Sequence, residues 1–279
     1  MKRKTISRLI TYGIIALLGV GLLFPIVYMV LASFKTNAEI FGTTKLLPES
    51  FNFRYYVSGW KGNGQYDYGQ FFYNTFLLVI PTVLLTVISC TVVAYGFARF
   101  RFKSKKALFS VLLATLMLPN TVIIIPRYIL FNQFGWIDSY LPFYIPALFG
   151  CYPFFIYQMV QFMRGIPKDL DEAAYMDGCG TMRTLICILM PLLKPAMFSA
   201  GLLQFTWTYN DYFNTLIYIN STSKYPVSLA LRMTLDAESV VEWGKVMAMA
   251  CVVVLPLVLL FFSAQKYFVE GITAGGVKG

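Results

Sequence analysis

The chain contains no histidine, and Cys90, Cys151, Cys179, Cys187 and Cys251 are scattered without CxxC or metal-ligand spacing. No GxxxxGK[ST] phosphate loop occurs. With neither metal clusters nor histidines, a membrane-embedded enzyme is disfavoured, and the polar residues that do gather suit binding. The stretch Pro167-Lys-Asp-Leu-Asp-Glu172-Ala-Ala174-Tyr-Met-Asp-Gly178 packs four acids into twelve residues, as a docking surface for a basic cleft would. A charge run is also what a solvated connecting loop would show, but every other loop on this side of the chain is basic apart from Glu270 near the end. A second set, Gln204, Trp207, Tyr209, Asn210, Asp211 and Tyr212, with Gln158 and Gln161, could replace water around a polar solute and stack on a ring. The same aromatics could form an interfacial belt, and the same amides could merely join helices.

These residues sit in a chain that is 58% hydrophobic and only 13% charged, about half the charged fraction of a soluble domain. The expected fold is all-α and membrane-embedded, with six apolar segments long enough to span a bilayer. They run approximately over residues 10–33, 72–98, 107–131, 141–163, 196–219 and 246–268, leaving a loop at 164–195 and a tail at 269–279. The first segment is too long for a signal h-region and has no small-residue cleavage site, so it is read as a span.

With the N-terminus inside, fifteen of the 23 Lys and Arg lie on the inner side against five acids, and the outer charges cancel. The whole net charge of +10 then falls on one face, which is the positive-inside pattern. Both termini are placed in the cytoplasm, and the basic balance reports topology without implying nucleic acid. Lys35, Arg127 and Asp211 lie toward outer span ends, and no Asp or Glu occupies a span centre. Intramembrane acids mark proton and sodium relays, so a self-contained secondary transporter is disfavoured.

In the inner loop, Pro167 suits the first turn of a helix, where its missing N–H costs nothing. Asp169, Asp171 and Glu172 complement the positive end of the helix dipole. Ala173 and Ala174 favour the helix and allow close approach. Gly178 and Gly180 can end it in a left-handed conformation, and Pro191 and Pro195 are expected to break the chain before the fifth span.

Glu172-Ala173-Ala174, Gly178 four residues on, Ile188 and Pro191 together resemble the EAA loop of ABC importer permeases, with Met190 where leucine is usual. Leu118-Pro119, Ile125-Pro126-Arg127-Tyr128 and Gly135-Trp136-Ile137-Asp138 resemble a third-span signature of the carbohydrate permeases. Phe205 with Tyr209-Asn210-Asp211-Tyr212 is similar to their fifth-span motif, Tyr209 replacing the usual Trp. The tail Gly271-Ile-Thr-Ala-Gly275-Gly276-Val-Lys278-Gly279 resembles the end of the maltose-type second permease.

The resemblance covers nearly the whole chain and implies the type I importer permease fold. It implies a subunit that is not itself an enzyme, in a bacterial or archaeal cell membrane, taking up a sugar or, as the alternative, another solute. It places Glu172, Ala173, Ala174, Asp177, Gly178, Ile188 and Pro191 in coupling to the ATPase, and Gly275, Gly276 and Lys278 in a tail reaching toward it. No cofactor is expected on this chain, since ATP and magnesium belong to the partner. The implied partners are a homologous sister permease, two ATPase subunits and an extracytoplasmic sugar-binding protein. The resemblance also implies that the sister holds most of the sugar contacts. The binding protein would meet the outer loop at 220–245.

Overall fold

A backbone in lipid must satisfy its own hydrogen bonds, and among the described residues helices are the only regular elements that do so. The computed structural model describes residues 2–62, 64–236 and 241–276. Fourteen α-helices occur among them: α1 (Lys2–Ala32), α2 (Asn37–Gly42), α3 (Arg54–Trp60), α4 (Tyr68–Arg99), α5 (Lys105–Leu116), α6 (Asn120–Gln133), α7 (Leu141–Leu148), α8 (Pro153–Gly165), α9 (Asp169–Met176), α10 (Thr181–Thr184), α11 (Met190–Tyr209), α12 (Tyr212–Tyr218), α13 (Val227–Asp236) and α14 (Trp243–Gly276). Five stretches are long and apolar enough to cross a membrane: Ile10–Ala32, Tyr68–Arg99, Leu141–Gly165, Thr181–Tyr209 and Trp243–Gln265. The pair α5 and α6, bent by 105°, makes a sixth if taken as one broken span.

Three expected spans depart from straight helices. Pro119 takes the extended N-cap position of α6, and its ring restricts Leu118, so the third span breaks there. The fourth breaks at Phe149–Tyr152, where Gly150 has φ +66° and Pro153 opens α8. The fifth begins about fifteen residues earlier than the sequence suggests, because Pro191 and Pro195 do not break it. A π-helical turn at Leu185–Leu189 precedes Pro191, with the Met190 N–H reaching back to the Leu185 carbonyl. That five-residue step widens the ladder just ahead of Pro191, which has no N–H to give. The last helix runs on through Gly276, so the expected flexible tail is helical at Gly275 and Gly276, and Lys278 lies outside the described residues.

The chain divides into two compact units. One comprises residues 1–71 and 229–256. Its rings pack locally: Phe34 lies 5.4 Å from Phe51, 5.3 Å from Phe53 and 5.6 Å from Tyr56 between centroids. Phe51, Phe53 and Trp60 nevertheless stay exposed, so the aromatics at 51–68 pack on one another largely at this unit's surface, with Tyr68 buried. Lys35 is buried and donates to the Lys45 carbonyl, while the Asn37 amide bridges the Val241 carbonyl and the Trp243 N–H. Of the last outer loop, Glu238 lies outside the described residues. In α1 the apolar side chains along the span face outward, and only its last residue, Ala32, is buried in this chain.

Gly244 is where this unit is most tightly closed. A Cβ there would lie 2.3 Å from the Lys35 carbonyl oxygen and 2.7 Å from the Tyr55 ring. Backbone cannot yield as a flexible side chain would, so Gly244→Ala is expected to destabilise this unit by about 2 kcal/mol or more. Lower yield and melting temperature of the purified protein check this, and an unchanged melting temperature would refute it.

The other unit comprises residues 72–228 and 257–279. Its main core joins Cys90, Ala94 and Ala98 of α4 to Phe155, Met159 and Met163 of α8 and Leu193, Ala196 and Ala200 of α11. The alanines let helix backbones approach, the usual device where lipid supplies no hydrophobic drive. A second cluster sets Leu78, Phe131, Phe143 and Tyr218 together.

Candidate functional site

The helix expected from the acidic stretch is α9, and its end is built by Gly178. Gly178 has φ +77°, its N–H meets the Tyr175 carbonyl at 3.0 Å, and the Cys179 N–H meets the Ala174 carbonyl at 2.9 Å. These two bonds form a Schellman motif. Gly180 does not share the task; its φ is −71° and it caps α10. Pro167 lies two positions before the first helical residue.

The acids divide. Glu172 and Asp177 are exposed, as is Ala173, while Ala174 is buried against the chain. Asp171 faces inward, its Oδ2 2.8 Å from Arg99 Nε, with side chains 21% and 6% exposed. The contact is a close charge pair without an aligned hydrogen bond. Arg99 also donates from Nη2 to the Ile166 carbonyl at 3.1 Å, so one guanidinium ties the end of α4 to the start of the loop and to α9. The surface expected to dock is therefore less acidic than its sequence, and it carries an apolar tip that charge reasoning overlooked. Tyr175 is 77% and Met176 86% exposed at the end of α9. Two large apolar residues just before the helix-ending glycine were the available signal. Ile188 and Pro191 stand apart from this tip, in the π turn and the first turn of α11, Ile188 half-buried and Pro191 exposed.

The fifth-span set is also split. Gln204 and Tyr209 are buried in the chain. Gln204 Nε2 donates to Thr208 at 3.0 Å, and Tyr209 stacks on Phe205 at 5.7 Å. Trp207 packs on Phe154 and Phe155, both at 5.1 Å, yet is half exposed. Asn210 is exposed and Tyr212 half-buried, Gln158 is half-buried with Nε2 3.5 Å from Ser199, and Gln161 is exposed. Asp211 caps α12 through the Asn214 N–H and borders a cleft of about 400 Å³ with Arg127, Asn214, Tyr218, Cys151 and Tyr152. Arg127, read in the sequence as a span-end charge and as part of a signature, is a principal polar group of this cleft.

Above it, Asp138 holds the outer turn in a left-handed conformation, φ +59°. Its carboxylate accepts from the Asn220 N–H at 3.0 Å, the Ser221 N–H at 2.8 Å, the Ser221 hydroxyl at 2.6 Å and Lys224 Nζ at 2.8 Å. Burial alone would raise this carboxyl, but those bonds outweigh it and hold it well below the ordinary carboxylate range. Because the folded-state value is depressed, the stabilisation is complete above the unfolded carboxylate range and is lost only as pH falls through the folded value. Asp138→Asn keeps the backbone preference and an acceptor, whereas Asp138→Leu keeps neither; about 1 kcal/mol and about 3 kcal/mol of lost stability are expected. Thermal unfolding of the two variants near neutral pH checks the order.

The model for binding-protein-dependent transport system inner membrane components matches residues 56–274. The probable ABC transporter permease YurM of Bacillus subtilis is 30% identical over 260 residues, 93% of this chain and 85% of that protein. The trehalose/maltose permease MalG of Thermococcus litoralis is 28% identical over the full length of both chains. The arabinooligosaccharides permease AraQ of Bacillus subtilis is 30% identical over 92% of this chain and 91% of its own. Among solved structures, a chain from a bacterial ABC transporter that imports the acidic polysaccharide alginate superposes with TM-score 0.83 at 21% identity, over 96% of this chain and 98% of that one. The family match over most of the chain and the full-length relatives thus agree, and the chain belongs to the binding-protein-dependent transport system inner membrane components, as a multi-pass permease subunit.

Proposed function

We propose that this chain conducts a sugar or oligosaccharide as one half of an ATP-driven importer, performing no covalent chemistry itself. The observation that carries the coupling role is the exposed Tyr175–Met176 tip of a helix whose other side is strapped to α4 by Arg99 and Asp171. An apolar knob on a stiff mount can seat in a partner's cleft and carry its motion into the spans, with exposed Glu172 and Asp177 available for basic groups at the rim. Ala173, Ala174 and Gly178 set the mount's shape, and Ile188 and Pro191 link it to the fifth span.

The seat would be an ATPase subunit, two of which use ATP and magnesium. A homologous sister permease would complete the pathway and cover apolar surface such as that of α1, and an extracytoplasmic binding protein would deliver the solute. Gly275, Gly276 and Lys278 would extend toward the ATPases. The sugar assignment draws on relatives named for trehalose, maltose, galactooligosaccharides and arabinooligosaccharides.

A tagged pull-down from native membranes in mild detergent, read by mass spectrometry, tests the assembly. A P-loop ATPase, a second permease and a binding protein are expected together. Recovery of this chain alone or only with itself would defeat the docking role, and a binding protein that takes no sugar would defeat the substrate class.

A further inference from the structure

The geometry points to the cleft between Arg127 and Asp211 as a saccharide subsite within this chain, one that grips a vicinal diol. The inference rests on the transport of sugars proposed above. Two broken spans open onto this cleft, one at Phe149–Tyr152 and one at Asn210–Asp211, and Cys151, Tyr152 and Asp211 line it. Unwound backbone at membrane depth is tolerated where it is buried in protein or lines a water-filled cavity, and secondary transporters bind their solutes at such breaks.

The donors and acceptors here are arranged around one amide. Asn214 Oδ1 accepts from Arg127 Nη2 at 2.7 Å, and Asn214 Nδ2 donates to both Asp211 oxygens at 2.9 and 2.8 Å. Arg127 Nε is taken by the Tyr218 hydroxyl at 2.8 Å, and Nη2 also reaches Asn120 at 3.1 Å. That leaves Nη1 donating to no described residue. Asp211 Oδ2 accepts only from Asn214, although a carboxylate oxygen has room for a second donor. A fixed cationic donor and a fixed anionic acceptor thus flank Asn214. Neighbouring hydroxyls of a sugar match that pair, one oxygen accepting from Arg127 and the other O–H donating to Asp211. Both bonds are charge-assisted, and the pair as a whole is near neutral, which favours a neutral polyol over an ion. Cys151 is an exposed thiol on the wall of the same cleft and reports on its occupancy.

The test uses the importer in proteoliposomes with its sister permease, ATPases and binding protein. Cys179, Cys187 and Cys251 are changed to serine, leaving Cys151 as the accessible thiol of this chain. Maltose, trehalose, galactobiose and arabinobiose are screened for ATP-driven uptake, and the sugar that is carried is used to protect Cys151 from N-ethylmaleimide. Alkylation is expected to slow about tenfold with that sugar present, the scale of one strong hydrogen-bonded contact. Arg127→Gln is expected to remove the protection and raise the KM for uptake about tenfold. If Arg127→Gln fails to assemble, protection of Cys151 in the chain that keeps Arg127 decides alone. Uptake without protection overturns the subsite and leaves the importer intact, whereas failure to carry any of the four sugars removes the substrate reading and the subsite with it.

Discussion

Gly178→Val is expected to cut sugar uptake roughly thirtyfold, and Gly178→Asn to retain most of it. No atom lies within 4 Å of a Cβ built at Gly178, so lack of space gives no reason for glycine there. The reason is the backbone: at φ +77° an L-residue costs about 1–2 kcal/mol, and a β-branched one more. Asparagine visits that region readily and valine does not. With valine, the chain relieves strain by leaving the left-handed conformation, and both Schellman bonds, from Gly178 to Tyr175 and from Cys179 to Ala174, are lost. The tip formed by Tyr175 and Met176 then loses its fixed direction while the membrane core, remote from this turn, still folds. About 2 kcal/mol against the docking geometry corresponds to roughly a thirtyfold loss of productive engagement. Uptake and ATP hydrolysis measured in the same vesicles separate the steps: the valine variant should hydrolyse while transporting little. A valine variant transporting like the parent would show that the turn plays no part in coupling.

The glycine was legible because its role is local, and so were the α9 helix and most of the spans, since twenty apolar residues have few other ways to satisfy a backbone in lipid. Where proline was the guide, the result depended on what preceded it. Pro119 and Pro153 end one helix and start another, but Pro191 is absorbed by a π turn that no local pattern announces. Charge was legible in sum and misleading in detail. Asp171 counts toward an acidic surface in the sequence, yet its partner Arg99 lies 72 residues earlier and turns it inward. Arg127 and Asp211 likewise read as separate span-end charges, and only the return of α12 beside α6 sets Asn214 between them. Long-range pairing is what the chain's periodicity cannot carry. Tyr175 and Met176 were missed for another reason: in so apolar a chain, two more apolar residues attract no notice until the fold leaves them in water.

The Arg99–Asp171 pair should behave as a mechanical link, and replacing Arg99 by methionine is expected to lower uptake at least about tenfold. The loss has two sources. Asp171, only 21% exposed, would be left with no cation beside it, and the Ile166 carbonyl would lose its donor. Breaking a largely buried pair from one side costs about 3 kcal/mol, most of it the stranded charge. The same argument predicts a rescue. In Arg99→Met/Asp171→Met no charge is stranded, and two flexible apolar side chains can pack α9 against the end of α4 beside Tyr95 and Ala98. Assembly yield and uptake should then recover well beyond the Arg99→Met level. Measured as a double-mutant cycle, the coupling energy should reach about 2 kcal/mol. Independent, additive losses from the two sites would mean that the pair does not hold α9, and that the tip is positioned by the Ala174 contact and the Gly178 turn alone.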